Sequence, residues 1–299
     1  MARIRIGTSE EGGTFWTEGE AIASLLKREY GVLSDILDAE QASIENAQRL
    51  EAGLIELGFM ASNWIGRAYK GDTPFETPLD IRMVAPANSG AMFFIVEAGS
   101  GLQNVRDLVG RRVSIGPKGS GMVQHIYTMF DILGISFNDF DPIYLSFEEG
   151  AKALEEGKVD AQWQCPFPNA VMRTLSERMD VRVLDYEPGD LNNIVDNIDF
   201  YNRAVMPAGF FRGVQRNTDQ LAVVNIIATH ANTDDEIVRK CVAILLENQE
   251  ELATINPLFL GLNDLFTPLK SSGLSALEFG GVPLHPGAIQ AYQDAGYIS

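Results

Sequence analysis

Four loops that follow a strand-like run and precede a helical one collect the side chains best suited to holding a small molecule. The first is GTSEEGGTFW, residues 7–16: Gly12 and Gly13 let backbone amides approach a ligand, Thr8, Ser9 and Thr14 offer hydroxyls, and Phe15 and Trp16 add ring surface. The second is GPKGSGM, residues 116–122, where Gly119 and Gly121 expose amides, Ser120 caps a helix and Lys118 brings a positive charge. It is not a phosphate-binding P-loop, because Met122 and Val123 follow Gly121 where Lys and Ser or Thr are needed. The third, ASNW, carries Ser62, Asn63 and Trp64; the fourth, WQCPFPN, carries Trp163, Gln164, Pro168 and Asn169. The chemistry these types perform is non-covalent: amides and hydroxyls at helix N-termini hold an anion or a polar solute, and rings cover its apolar part. All three tryptophans fall on these loops, which favours one shared pocket over the alternative of core packing. Glu10 and Glu11 lie inside the first loop and, like Glu148–Glu149 and Asp234–Asp235, read as acids favoured by the dipole of the helix they open.

Covalent chemistry finds less support. His125, His230 and His285 stand in unrelated contexts, so spacing gives neither a metal triad nor a Ser-His-Asp set, and no metal or cofactor is expected. His285, in PLHPG, reads as fixing a C-terminal turn. Cys165 and Cys241 lie far apart, match no CxxC pattern and are expected as buried free thiols. An enzyme, a lyase or transferase, would have to use Lys118 with a lowered pKa or Cys165 in an electropositive setting. The first basic residue after Cys165 is Arg173, so this reading ranks below a binding protein without turnover. A ligand-sensing regulatory module would want a DNA-binding segment and ranks lower still.

The elements that must position these loops are legible in the periodicity. Strands are expected at residues 3–7, 34–40 and 54–61, with helices at 17–29, 43–52 and from 63, a βαβαβ order that implies a parallel sheet. Two strand-like runs at 81–86 and 91–99, with no crossover helix between them, suggest passage into a second lobe. There strands at 111–116, 142–147, 159–164 and 181–185 alternate with helices at 120–133, 148–156 and 169–178. The run at 221–231 is a returning strand, able to pair near Phe94, and the next helix is expected to be capped by Thr233 with Glu236 closing a capping box. The expected fold class is α/β: two doubly wound lobes joined by a hinge, residues 1–89 plus 206–299 forming the first and 90–205 the second.

With 299 residues, 45% hydrophobic and 21% charged, the chain can bury a core in each lobe. Its formal charge of −18 argues against nucleic acid and anionic lipid as partners. No run of 18 apolar residues occurs, and the first strand is read from Arg3, so the expectation is either a cytosolic protein or a sequence that begins after a removed leader.

These residues together resemble the TAXI branch of solute receptors of TRAP (tripartite ATP-independent periplasmic) transporters. The resemblance runs from IGTSEEGGTFWTEGEAIASLL through SIENAQRLEAGLIELGFMASN, VRDLVGRRVSIGPKGSG, YLSFEEGAKALEEGKVDAQW and MPAGFF to PLHPGAIQAYQDAGYI. It implies the type II periplasmic binding protein fold and an extracytoplasmic, monomeric receptor without turnover. Such a receptor closes about a hinge on a small organic acid or amino acid and hands it to TRAP membrane subunits. Carried over by position, its ligand loops are residues 8–15, 43–46 (with Ser43 and Asn46), 62–63, 119–121 and the turn at Pro168 and Asn169. The first loop departs from the family's usual Gly-Ser-Thr-Gly-Gly with Ser9, Glu10 and Glu11, then Thr14, Phe15 and Trp16, and Met122 stands where threonine is common. Fewer hydroxyls and more acid and indole lead to the expectation of an aromatic or amine-bearing solute.

Overall fold

Parallel pairing sets the architecture from the first strand onward. In this computed structural model, which describes residues 3–118, 120–167, 170–198 and 200–299, β1 (Arg3–Gly7) runs parallel to β2 (Leu33–Leu37) and to β3 (Leu57–Ala61). Each strand leads into a helix: α1 (Thr14–Tyr30), α2 (Ser43–Glu51) and α3 (Ser62–Lys70). Such crossovers place all three helix N-termini at one edge, beyond the carboxyl ends of the strands. The chain continues through β4 (Ile81–Glu97), β5 (Arg112–Ser114), α4 (Gly121–Leu133), β6 (Asp141–Ile143), α5 (Phe147–Glu155), β7 (Ala161–Gln164) and α6 (Ala170–Arg178). Then come β8 (Val181–Val183), α7 (Asp190–Asn197), β9 (Tyr201–Met206), β10 (Thr218–His230) and α8 (Asp235–Glu247). Four short helices finish it: α9 (Gln249–Ile255), α10 (Leu262–Phe266), α11 (Leu269–Ser272) and α12 (Pro286–Asp294).

The chain divides into two units, Met1–Ser89 with Val224–Ser299, and Gly90–Val223. In the first the strand order is β2-β1-β3-β10-β4, with β10 antiparallel to β3. Its core gathers Ile4, Ile6, Leu57 and Phe59 from the strands and Ile22, Leu25 and Leu26 from α1. Those α1 positions recur at three- and four-residue intervals, one face of a helix, and Gly31 ends it in the left-handed region at φ 65°. Ring stacking of Phe15 on Phe59, centroids 5.4 Å apart, fastens the start of α1 to β3.

In the second unit β5 runs parallel to β6 and β7, β7 and β8 run antiparallel to β4, and β9 pairs with residues 218–223 of β10. Its core includes Phe93, Ile95, Met172, Val181 and Phe211. Ser146 opens α5 with a capping box, its hydroxyl accepting from the Glu149 amide while the Glu149 carboxylate accepts from the Ser146 amide.

The structure differs from the sequence reading at several places. The two runs at 81–86 and 91–99 form one 17-residue strand, β4, because Asn88 and its neighbours, turn-like in composition, stay extended. β10 is the hydrogen-bonded neighbour of β4, as expected for the returning strand, and at Phe94 β4 also faces Trp163 of β7 and its carbonyl accepts from the Leu184 amide. The return between units falls at Val223–Val224 rather than at residue 206, since the β9–β10 pairing keeps residues 201–223 together. β3 begins at Leu57, three residues late, with Leu54 exposed in the preceding turn. α1 begins at Thr14, three residues early. Asp234, not Thr233, caps α8, accepting from the Glu236 and Ile237 amides. His285 does fix a turn, as the N-cap of α12, with its Nδ1 accepting from the Gly287 amide at 3.2 Å.

Gly287 is where α12 meets the start of α8: a Cβ there would stand 2.2 Å from the Asp235 carbonyl oxygen. Backbone cannot yield as a flexible side chain can. Gly287→Ala is expected to cost about 1–3 kcal/mol of stability, read as a lower urea midpoint, and an unchanged midpoint would contradict this packing.

Candidate functional site

The carboxyl edge of the first unit is assembled by backbone contacts among the residues that the sequence singled out. Thr8 closes the end of β1: its amide and its hydroxyl both donate to the Leu37 carbonyl, each at 2.9 Å. Ser9 through Gly13 turn outward, with Gly12 at φ 77° and the Gly13 amide donating to Glu10 O at 2.9 Å. A Cβ on Gly13 would stand 2.9 Å from the Glu10 carbonyl oxygen, a backbone atom that cannot rotate away, so the turn favours glycine there. Glu10 and Glu11 are exposed on the outside of the turn.

Asn46, on the inner face of α2, is fully buried and clamps two strands at once. Its Nδ2 donates to Thr8 O at 2.8 Å and to Phe59 O at 2.9 Å. Ser43 Oγ accepts the Ala61 amide at 3.0 Å, tying the start of α2 to the end of β3. Both side chains therefore hold backbone in place. Gly7 must lack a side chain for the clamp to fit, since a Cβ there would fall 2.4 Å from Asn46 Oδ1.

Backbone amides that open a helix have no partner within it and require a cap, water or a ligand. Each of α1, α2 and α3 starts with no side-chain cap, from Gly13, Ala42 and Ala61. Ala42 holds a positive φ of 41°, strained for a residue with a Cβ. Ser62 Oγ and Asn63 Oδ1, at the start of α3, are buried without a hydrogen-bond partner. Elsewhere Ser120, Ser146, Asp234 and His285 cap the helices they precede, while α7, α9, α10 and α11 also start without a side-chain cap but do not follow the parallel strands β1, β2 and β3. The uncapped amides, their positive dipole ends and two unpaired polar side chains thus share one edge of one unit, a combination that can hold an anionic or polar solute.

The aromatic residues divide. Trp16 keeps partial exposure on α1, whereas Trp64 lies on the inner side of α3 with the Arg67 guanidinium 5.1 Å from its ring. Trp163 is fully buried within β7, its ring 4.5 Å from that of Phe94 and its Nε1 donating to Met122 O at 3.2 Å. Two of the three indoles thus fill cores, the outcome that their large apolar area favours.

On the second unit, Ser120 caps α4 through the Val123 amide, Gly121 opens that helix, Lys118 is exposed and Gln164 is buried at the end of β7. Gly119, Pro168 and Asn169 lie outside the described residues. Cys165 Sγ stands 3.0 Å from Met122 Sδ, and burial pushes the thiols of Cys165 and Cys241 up to about 12.

One residue escaped the sequence reading. Glu18 is fully buried on the apolar face of α1, and its Oε1 accepts from Asn88 Nδ2 at 2.6 Å. Asn88 Oδ1 in turn accepts from Asn225 Nδ2 at 2.9 Å, and Asn225 lies opposite Ala61 in the β3–β10 register. Glu18 Oε2 has no hydrogen-bond partner. The signal was available, because Glu18 falls three residues after Phe15 and four before Ile22, on the stripe that had to be buried.

No helix among the described residues is long and apolar enough to cross a membrane. Solved structures with a similar fold include a protein described as the periplasmic sulfonate-binding protein SsuA from Methylobacillus flagellatus KT, 13% identical over 100% of this chain and 97% of that one, with a TM-score of 0.55. A TctC solute binding protein from Polaromonas is 16% identical over 99% and 96% of the two chains, at 0.54. A protein from Bordetella bronchiseptica RB50 is 14% identical over 100% and 90%, at 0.52. The fold is therefore the mixed α/β fold of periplasmic solute-binding proteins. The model of the NMT1-like family matches residues 6–296, nearly the whole sequence, and this chain belongs to that family.

Proposed function

We propose that this chain is an extracytoplasmic solute receptor that binds a small carboxylate-bearing molecule, an organic acid or amino acid, without turning it over. The observation that carries the reading is the carboxyl edge of the first unit, where three helices start without side-chain caps beside the unpaired Ser62 Oγ and Asn63 Oδ1. A carboxylate satisfies several helix-opening amides at once and gains from their dipoles, while its polar substituents meet the two side chains. The solute-binding and periplasmic descriptions of the proteins that share the fold support the class and the location.

Resemblance to the TAXI branch supports the finer reading: capture by hinge closure about the crossings at Ser89–Gly90 and Val223–Val224, with delivery to TRAP-type membrane subunits by a monomeric receptor. Of the proposed ligand residues, Ser9, Gly12, Gly13, Thr14, Ser62, Asn63 and Trp16 contribute amides, hydroxyl, amide oxygen and ring at this edge. Gly119, Ser120, Gly121, Pro168 and Asn169 would contribute from the second unit. Trp16 is the indole available to an aromatic solute, so an aromatic acid fits the proposal better than a bare amine.

Isothermal titration with glutamate, succinate, indole-3-acetate and tryptamine tests the reading. At least one acid is expected to bind and tryptamine to fail, and the Ser62→Ala, Asn63→Ala double variant should weaken the acid about 10- to 100-fold. Binding of tryptamine alone, or an acid affinity untouched by the double variant, would overturn it. A receptor without a nucleophile also predicts inert thiols: with a value of about 12, roughly one thiol in ten thousand is ionised at pH 8. Iodoacetamide at pH 8 should modify both cysteines only after unfolding; rapid alkylation of Cys165 in the folded protein would favour the enzyme reading instead.

A further inference from the structure

We propose that Glu18 is a proton-carrying positioning residue: uncharged at neutral pH, it holds Asn88 and, through Asn88, Asn225, and so fixes the end of β3 from which the uncapped start of α3 projects. Three buried side chains from α1, β4 and β10 make this relay, with contacts of 2.6 and 2.9 Å. Asn225 stands directly across from Ala61, the residue before Ser62. Asn88 and Asn225 also lie within two residues of the crossings at Ser89–Gly90 and Val223–Val224, where the chain leaves and re-enters this unit.

The charge state follows from what surrounds the carboxyl. An ionised carboxylate buried without a cation costs several kcal/mol, whereas a protonated one leaves a single hydroxyl unpaired. Glu18 Oε1 receives one amide hydrogen and Oε2 receives none. Burial accordingly raises Glu18 to about 8, and the Asn88 amide lowers it only in part. Of the charged groups on the elements around it, Glu20 and Lys27 of α1 are exposed and many of the others pair with one another nearer the surface. Arg3 of β1 pairs with Asp35 of β2, Arg5 of β1 with Glu56, Arg28 of α1 with Glu251 of α9, and Arg82 of β4 with Asp80. Arg239 and Lys240 of α8 share Glu236, and His230 at the end of β10 faces Glu51 of α2. None of them contributes to the shift of Glu18.

The sign of the linkage is fixed by these values. An ordinary glutamate, at 4.5, is ionised in the unfolded chain over the window in which folded Glu18, at about 8, keeps its proton. Folding therefore takes up a proton between these values. The folding constant attributable to this residue is full below the lower value, falls by up to about tenfold per pH unit through the window, and is level above the upper one. Glu18→Gln keeps the acceptor for Asn88 and removes the titration. Denaturant unfolding of wild type and Glu18→Gln from pH 5 to 9 should show the variant gaining on wild type up to about pH 8 and no further. A difference constant across the range would overturn the proposal.

A second measurement does not depend on the variant folding well. In wild-type protein with 13C-labelled glutamate, one side-chain carboxyl should titrate near pH 8, and the backbone amides of Ala61, Ser62 and Asn63 should shift with the same midpoint. If every glutamate titrates below about pH 6, the proton is not there. If the carboxyl titrates near pH 8 while those three amides stay still, the relay to β3 is wrong. Neither measurement uses a solute, so failure of the solute-binding reading leaves this result readable.

Discussion

Asn46 supplies the interaction on which the arrangement of the first unit's ligand edge rests. A single buried amide group donates to Thr8 O at the end of β1 and to Phe59 O in β3, so two parallel strands and α2 are held in one register. Buried carbonyls must find donors, and a lost clamp would leave two of them unsatisfied, at roughly 1–3 kcal/mol each. With Ser43 taking the Ala61 amide, the clamp frees the next positions, Ser62 and Asn63, from structural duty. The outward loop at Ser9 to Gly13 and the start of α3 are then presented by a rigid frame.

α4, α5, α8 and α12 are closed by a side chain of their own, whereas α1, α2 and α3, like α7 and the short α9 to α11, are not; what sets the first three apart is that they open together at one strand edge. Ser146 and Asp234 close α5 and α8 with their own side chains, and His285 closes α12. At α1, α2 and α3 the corresponding positions are Gly13, Ala42 and Ala61, none of which can cap, and Ala42 adds a strained backbone. Lack of a side-chain cap costs about 0.5–2 kcal/mol at each of Ala42 and Ala61 and only a few tenths at Gly13, which a bound anion would offset. Glu18 belongs to the same logic from inside: a polar relay is placed under the edge, where an apolar side chain would have packed without cost.

Much of this fold was legible in the sequence, because period-two and period-3.6 patterns are strong where a strand or helix buries one face. The βαβαβ start and the alternation at residues 111–185 follow directly from that. The readings that failed share a cause, which is that composition cannot see tertiary context. Asn88, Ser89 and Gly90 look like a turn but lie within β4, because Asn88 has buried partners in Glu18 and Asn225. Residues 190–206 mix asparagine and aspartate with apolar positions, and α7 and β9 went unanticipated there. Loops rich in glycine and hydroxyls pointed to the edge, yet nothing local distinguishes Trp64 and Trp163, which pack inward, from Trp16, which does not. Ser43 and Asn46 were suggested by family resemblance alone, and the role of Asn46 as a clamp needed the coordinates of both strands.

The most direct test of the central claim is a backbone amide spectrum of the 15N-labelled protein recorded with and without a saturating carboxylate, glutamate or succinate. If the uncapped helix starts are the binding surface, the largest shifts in the first unit fall on Thr14, Phe15, Trp16, Ser62 and Asn63, with α5 and α8 unchanged. Saturable binding that leaves those amides unmoved would contradict the account.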